Sequence, residues 1–393
     1  MRIRVLVFTV MLSFVVSGLL SVFAPKKAEA IPAFSRQTGK SCSTCHSAFP
    51  KLNQTGQNFR TNGFRFPEDK EWNDVQDLKH VPLSVEAEVE AEFEKEKGGQ
   101  QKSNMHLDEV ELQAGLPIGK NGGFSAFSIV SFPGEAGKSV EVKQAFGQVN
   151  DLIGEKGHGL LNLKVGQFDI SLPFLSNVQR VIKQRYYSQD NLGIIGSTKG
   201  GNVEFFNTAI ELNGQIVGKD PNDLTHRYAI GLYNPTTIQD GNQLGNPGIY
   251  VSYAVNFLEN FNLGAIYKRD VVDKPTPDIP NAKKALGKWG IAADAKIGPV
   301  IATLAYFRSE SIDSKSLDNV MGEVLVMPTK QWVLGARMDF LNQEATKSGT
   351  RTSAMVRYYI SPSVYFQGEY RLEEAFGNGV DSVNARGFLV ALY

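Results

Sequence analysis

The stretch that decides the fold is Leu83–Glu94, which reads LSVEAEVEAEFE. Apolar or small side chains from Leu83 to Phe93 occupy every second position and alternate with Ser84 and five glutamates. A helix does not repeat its apolar residues every second position, whereas a β-strand with one apolar and one polar face does. The sequence therefore predicts a strand here, with its glutamates on one face and its apolar side chains on the other.

The same period of two recurs about sixteen times from Leu83 to the C-terminus. Runs of about ten residues suit tilted membrane strands, and short links such as 258–260 alternate with long links such as 95–104 and 171–202. We expect an all-β fold over residues 81–393, an outer-membrane β-barrel of about sixteen strands. The alternatives are a soluble β-sandwich, which would rarely need sixteen strands in one unit, and a β-helix, for which no short repeat is visible.

Composition limits the remaining classes of protein. The 393 residues contain 41 Lys and Arg and 41 Asp and Glu, so the formal net charge is zero. A basic nucleic-acid-binding protein is therefore excluded, and we expect no nucleic-acid partner. Beyond the first 24 residues no apolar run approaches the roughly 20 residues of a membrane-spanning helix. Strands are then the remaining way to contact outer-membrane lipid.

The N-terminus indicates export from the cytoplasm. Arg2 and Arg4 precede an almost unbroken apolar run from Val5 to Ala24, and Ala28-Glu29-Ala30 has the small residues of a cleavage site. Residues 1–30 are therefore predicted to be a signal peptide, and export together with the predicted barrel indicates a Gram-negative cell outer membrane. An uncleaved anchor is the alternative, because the apolar run is long for a signal.

The strongest chemical motif is Cys42-Ser43-Thr44-Cys45-His46. In Cys-x-x-Cys-His the two thiols form thioethers with a haem and the histidine binds the iron, so one covalent haem c is predicted. Alternatives are a redox-active dithiol, a disulfide or a zinc site. A redox dithiol would precede a helix in a βαβ unit, and zinc would need another ligand, for which the next candidate is His80.

Residues 31–80 are predicted to be a small monohaem cytochrome c domain. Its large apolar side chains suit a haem pocket: Phe34, Phe49, Leu52, Phe59, Phe64, Phe66 and Trp72. No flexible linker precedes the first strand, so we expect this domain to plug the barrel and its basic side chains to dock on the glutamates of that strand. The candidates for the sixth iron ligand are His80, the neighbours Met105 and His106, or water at an open position.

Several stretches around the motif resemble a known family. They are Ile31-Pro32-Ala33-Phe34-Ser35-Arg36-Gln37-Thr38-Gly39, Phe49-Pro50-Lys51-Leu52, Gly56-Gln57-Asn58-Phe59, Gly63-Phe64 and, more weakly, Gly166-Gln167-Phe168-Asp169. In these the chain is similar to the fused cytochrome–porin proteins, which are outer-membrane monohaem c-type cytochromes of iron-oxidising bacteria. The resemblance implies that Cys42, Cys45 and His46 hold the haem.

The resemblance also implies a function. A cytochrome plug within such a barrel carries electrons across the outer membrane, from extracellular Fe(II) to a periplasmic carrier such as a soluble cytochrome c. Fe(II) oxidase activity is then an expectation, with no catalytic side chain assigned. Two alternatives stay open, namely a conduit for another metal or redox partner and a diffusion porin with a regulatory haem plug.

Overall fold

A computed structural model of the chain describes fifteen parts of the sequence. They are residues 33–68, 83–96, 98–119, 122–134, 138–186, 197–199, 202–204, 207–218, 220, 223–234, 247–273, 283–310, 316–343, 347–374 and 381–392. The predicted signal peptide, residues 1–30, and the candidate ligand His80 lie outside these parts. Among the described residues no helix is long and apolar enough to cross a bilayer.

Residues 33–68, here called the plug, form a small unit of short elements. Helices α1 and α2 are followed by a two-stranded hairpin of β1 and β2 and then by helix α3. Their bounds are α1 Ala33–Thr38, α2 Cys42–Cys45, β1 His46–Ala48, β2 Lys51–Leu52 and α3 Gln54–Thr61. The Cys-x-x-Cys-His motif thus spans α2 and the first residue of the hairpin.

Most of the remaining described residues belong to strands. Their bounds are β3 Leu83–Glu96, β4 Gln101–Ile118, β5 Phe124–Pro133, β6 Glu141–Ile153, β7 Leu161–Phe168, β8 Ser197–Lys199, β9 Asn202–Glu204, β10 Asn207–Ile216, β11 Thr225–Tyr233, β12 Gly248–Phe257, β13 Phe261–Asp273, β14 Lys283–Ile297, β15 Val300–Glu310, β16 Ser316–Val326, β17 Trp332–Gln343, β18 Lys347–Ser361, β19 Val364–Glu374 and β20 Asp381–Leu392. Among the described residues, the short strands β8 and β9 pair with each other and with no other strand.

The other sixteen strands form one closed antiparallel barrel. Each pairs with its neighbours along the chain, β7 pairs with β10, and β20 closes the ring on β3. The prediction of a sixteen-stranded barrel is confirmed. The predicted long link 95–104 is wrong, because β3 and β4 stay paired as far as Lys95 and Gln101. Above a bilayer both faces of a strand are polar, so the period of two that marks a strand is lost there.

The two faces of the barrel have opposite chemistry. On β12, Ile249, Val251 and Tyr253 are exposed on the outside, whereas Ser252 and Asn256 are buried on the inside. Exposed apolar side chains recur on the outer face of most strands, and buried charged and amide side chains recur on the inner face. This is the reverse of a water-soluble barrel and is typical of one surrounded by lipid.

The plug lies within the short-turn end of the barrel. The short turns include 258–260, 298–299 and 362–363, and the start of β3 lies at the same end. Ala33 N–H donates to Ser84 Oγ at that end (2.7 Å), and Ser125 Oγ donates to the carbonyl of Gly63 (2.6 Å). The N-terminal cysteine motif is therefore inside the ring of strands.

Candidate haem-attachment site in the barrel lumen

The two cysteines lie on a single helical turn. Cys42 and Cys45 are the first and last residues of α2; both thiols are free and half-buried. Burial raises the pKa of Cys42 and raises that of Cys45 to about 11, so both are protonated thiols at neutral pH. A reactive Cys-x-x-Cys dithiol lowers its thiol pKa instead, so this environment does not favour the redox-dithiol alternative.

His46 is oriented by the hairpin that follows it. Its Nδ1 lies 3.1 Å from the carbonyl oxygen of Pro50, which only accepts hydrogen bonds, so Nδ1 carries the hydrogen. Burial lowers the pKa of His46 to about 4, which keeps the ring neutral and leaves a lone pair on Nε2. Metal-binding histidines are commonly held in this way, with the second ring nitrogen donating to a carbonyl.

Helix α3 packs closely against the motif. The Asn53 side chain accepts a hydrogen bond from Gly56 N–H (2.9 Å) and donates one to the carbonyl of Thr44 (3.0 Å), so it caps α3 and fastens it to α2. A Cβ on Gly56 would lie 2.2 Å from the carbonyl oxygen of Cys45. Only glycine permits this approach of α3 to the second cysteine.

An aromatic cluster lies beside the motif. Phe34 and Phe64 stack with ring centroids 5.0 Å apart, and Phe59 meets Phe34 edge to face at 5.2 Å. The cluster continues through Phe127 into the barrel wall, and Cys45 packs against it. Two thiols on one turn, an oriented neutral imidazole and an apolar wall together fit the attachment of a c-type haem.

Two buried ion pairs hold the plug to the wall. Lys51 Nζ lies 2.9 Å from Asp294, and Arg65 Nη1 lies 2.7 Å from Asp151. The side chains of all four residues are at most 8% exposed. Because a buried charge is costly without its partner, each pair fixes the position of the plug in the lumen.

A second segment, residues 169–186, also enters the lumen and is here called the inner loop. Ile182 is fully buried, and Arg337 and Gln367 donate to the loop's backbone carbonyls. Lys51 Nζ donates to the carbonyl of Phe174 (3.2 Å), so the plug and the inner loop are in direct contact. The interior is closed by two layers, with the plug on the short-turn side.

The glutamate row of β3 consists of Glu86, Glu88, Glu90, Glu92 and Glu94. It faces the lumen as predicted, and Glu88 and Glu90 are buried there. The prediction that the plug's basic side chains dock on this row is wrong, because Glu88 pairs with Lys183 of the inner loop. The plug's ion pairs described above use Asp151 and Asp294, because the plug reaches the short-turn end of other strands and lies below the middle of β3.

A charged cavity of about 90 Å³ lies between α3, the inner loop and the wall. Its charged lining comprises Arg60, Lys164, Arg227, Asp169 and Glu211. Arg227 is 2% exposed, and its Nε and Nη1 donate no hydrogen bond to any described residue. Three cations face two anions here, so the cavity suits water or a small anion.

The candidate sixth ligands are not gathered beside His46. Met105 is 76% exposed and pairs in register with Ala91, on the outer face of β4. His106 pairs with Glu90 nearer the other end of the barrel, and His80 is outside the described residues. Sequence reasoning missed the roles of the Pro50 carbonyl, Asn53 and Gly56. A glycine inside a helix signals a close approach, and that signal was present at Gly56.

Comparison with known proteins identifies the fold class. The anion-selective porin of Comamonas acidovorans matches with a TM-score of 0.58 at 9% identity, over 80% of this chain and 99% of the porin. The outer-membrane channel DcaP of Acinetobacter baumannii matches with 0.58 at 12% identity, over 80% and 96%. OmpF of Salmonella typhi, solved with daunomycin, matches with 0.55 at 12% identity, over 80% and 97%.

The barrel therefore has the fold of the outer-membrane porins. No family model and no curated protein sequence matches the chain. The likeness concerns the architecture of the barrel, and the identity of about a tenth carries nothing about individual residues.

Proposed function

We propose that this protein is an outer-membrane c-type cytochrome fused to a porin-type barrel, and that it carries electrons across the outer membrane. The proposed donor is extracellular Fe(II), and the proposed acceptor is a periplasmic carrier such as a soluble cytochrome c. The observation that carries the proposal is the position of Cys42, Cys45 and His46 in a plug that lies inside the barrel, at its short-turn end. A haem hung below a bilayer of about 30 Å could not serve both sides.

The residues of the plug have separate tasks in this proposal. A haem held by Cys42, Cys45 and His46 would supply a reversible one-electron store at its iron. The Pro50 carbonyl orients the His46 ring, and the phenylalanine cluster around Phe34 keeps water from that side of the motif. His80 is proposed as the second axial ligand, and residues 1–30 as the signal that exports the chain.

Haem staining tests the attachment directly. Purified wild-type protein, denatured and run on a gel, should give a stained band, because thioether bonds survive denaturation. The double variant Cys42→Ala/Cys45→Ala should give none, whereas Ser43→Ala keeps both sulfurs and should stain fully. A wild-type band without stain, or a double variant that still stains, would overturn the proposal.

A diffusion porin with a regulatory plug is the second candidate. Two observations favour it, namely the fold shared with porins, one of which is anion-selective, and the cationic excess in the cavity beside Arg227. A swelling assay separates the candidates. Liposomes that contain wild-type protein should stay tight to sugars and small anions if the plug is permanent. The porin would be supported if wild-type protein, with Lys51 and Arg65 intact, blocks swelling at rest and allows it after a physiological trigger.

A further inference from the structure

Five side chains on β3 and β4 meet at the lumen wall, away from the cysteine motif. Glu90, His106 and Asp108 each offer a ligand atom, and these three atoms lie within 4.8 Å of one another. A second set of three possible ligands, Glu88, Asp108 and Glu109, overlaps with the first at Asp108. His106 Nε2 and Asp108 Oδ1 are 3.8 Å apart.

The local fold explains why these residues converge. Glu90 is directly opposite His106 in the register of the two strands. The register then shifts, since Val89 faces Leu107 and Glu88 faces Glu109, so Asp108 is an extra residue in β4. Such bulges re-aim side chains, and this one brings Asp108 to the same side as His106.

Glu90 gives an independent sign that the group can take a further positive partner beside Arg386. It is 5% exposed, and its Oε1 accepts no hydrogen bond from any residue that the structure describes. Arg386 Nε lies 3.2 Å away but donates its hydrogen to Glu92 and Asn384. A buried carboxylate oxygen without a donor is costly unless a cation binds it.

The charges around the group also favour a cation. Six acids line this part of the wall: Glu86, Glu88, Glu90, Asp108, Glu109 and Glu111. Three cations contact them, namely Lys143, Lys183 and Arg386. Lys143 is committed to Glu109 and Glu111, and Lys183 to Glu88. Arg386 is shared between Glu90 and Glu92, so the acids near Glu90 and Asp108 outnumber the cations that contact them.

We propose that Glu90, His106 and Asp108 bind a divalent first-row transition-metal ion in the lumen, on the long-loop side of the contact between Lys183 and Glu88. One imidazole with two carboxylates suits such ions, whereas Ca²⁺ and Mg²⁺ prefer oxygen ligands alone. An ion bonded at about 2.1 Å holds its ligand atoms about 3.4 Å apart in a tetrahedron. Side-chain rotations that move each ligand atom by about 1 Å would therefore close the site. Three protein ligands leave a position for water. The site does not depend on the haem.

Calorimetric titration of the purified, full-length protein with Zn²⁺ tests this site. Wild-type protein should bind one ion, and Glu90→Gln and His106→Ala should each weaken binding at least about tenfold, which is about 1.4 kcal/mol. The matched control is His158→Ala, which removes an exposed histidine 3.5 Å from Glu155 and should leave binding unchanged. Heat-modifiable migration on gels confirms that each barrel is folded.

The Cys42→Ala/Cys45→Ala variant separates this site from the cysteine motif. It should bind Zn²⁺ like the wild type, so a failure of haem attachment and a failure of the metal site are read independently. The inference is overturned if the wild type binds no ion, if both lumen variants bind normally, or if binding is lost only with His158 or with the cysteines.

Discussion

At the scale of single residues, the motif depends on neighbours that carry no reactive group. The Pro50 carbonyl sets the hydrogen on His46 Nδ1, and Asn53 joins the start of α3 to α2. Gly56 allows α3 to lie against the carbonyl of Cys45. These contacts fix the arrangement of the two thiols and the imidazole in the plug.

Gly56→Ala should therefore reduce the proposed haem attachment. The new Cβ would lie 2.2 Å from the Cys45 carbonyl, which is backbone and cannot rotate away, so α3 must shift and the motif must loosen. We expect the haem-stained fraction to fall severalfold at equal barrel yield. Gly123→Ala is the control, since its Cβ meets nothing within 4 Å. Equal staining of both variants would show that close packing of α3 is unimportant.

The buried ion pair between Arg65 and Asp151 should stabilise the docked plug more than an exposed ion pair does. Asp151 also accepts hydrogen bonds from the backbone of Gly157 and Gly159. Asp151→Asn removes the Asp151 charge from the buried ion pair with Arg65, which costs about 3 kcal/mol. Cleavage of the plug by native-state proteolysis should then become about a hundredfold faster.

Glu68→Gln is the matched comparison for Asp151→Asn. Glu68 pairs with Lys40 at 2.9 Å, but the two side chains are 61% and 34% exposed. An exposed pair contributes about 1 kcal/mol or less, so cleavage should accelerate no more than about fivefold. If the two variants were cleaved at the same rate, burial would not be what makes the Arg65 pair strong.

At the scale of elements, two different segments close the lumen. The plug is fastened by Lys51 and Arg65 to the wall, and the inner loop by Lys183 to Glu88 and by the Glu369 carboxylate to the backbone of Lys183. The two layers touch through Lys51 and the carbonyl of Phe174. A solute would have to pass both, so opening one layer should leave the pore restricted by the other.

Single-channel conductance in planar bilayers tests this two-layer closure. Glu88→Gln frees Lys183 but leaves the plug in place, so we expect no rise in conductance. Deletion of residues 33–68 alone should raise the conductance only slightly, because the inner loop still restricts the lumen, and the same deletion with Glu88→Gln should raise it much further. If Glu88→Gln alone opens the barrel, the plug does not seal it.

The barrel was predictable from the sequence because its physics is local. One lipid-facing and one lumen-facing side chain alternate along each strand, so runs such as Leu83–Glu94 indicate both the strand and its orientation. The start of β4 was less predictable, since the strand extends beyond the part of the barrel whose outer face is apolar. The inner loop and the bulge at Asp108 depend on contacts across the lumen, which no period in the sequence records.

The candidate site was predictable in part for a similar reason. The motif from Cys42 to His46 is contiguous, so its spacing alone indicates haem attachment. The docking partners of the plug are Asp151 and Asp294, which are 86 or more residues away along the chain from the lysine and arginine they bind. The glutamate row of β3 is nearer to the plug in sequence, which favours it as the docking site, and that prediction is wrong.

At the scale of the whole molecule, the architecture joins a membrane-spanning wall to a cysteine motif in its interior. The outer face is apolar, the inner face is charged, and the lumen is occupied by the plug and the inner loop. The proposed transfer of electrons is compatible with this occupied lumen. Movement of an electron needs no open channel, whereas diffusion does.

The most direct measurement uses sealed proteoliposomes that hold oxidised soluble cytochrome c and a trapped fluorescent dye. Wild-type protein should reduce the internal cytochrome when membrane-impermeant Fe(II) chelate is added outside, while the dye stays inside. The Cys42→Ala/Cys45→Ala variant should leave the internal cytochrome oxidised. Reduction that occurs only with loss of dye, or equally well with the variant, would contradict electron transfer through the plugged barrel.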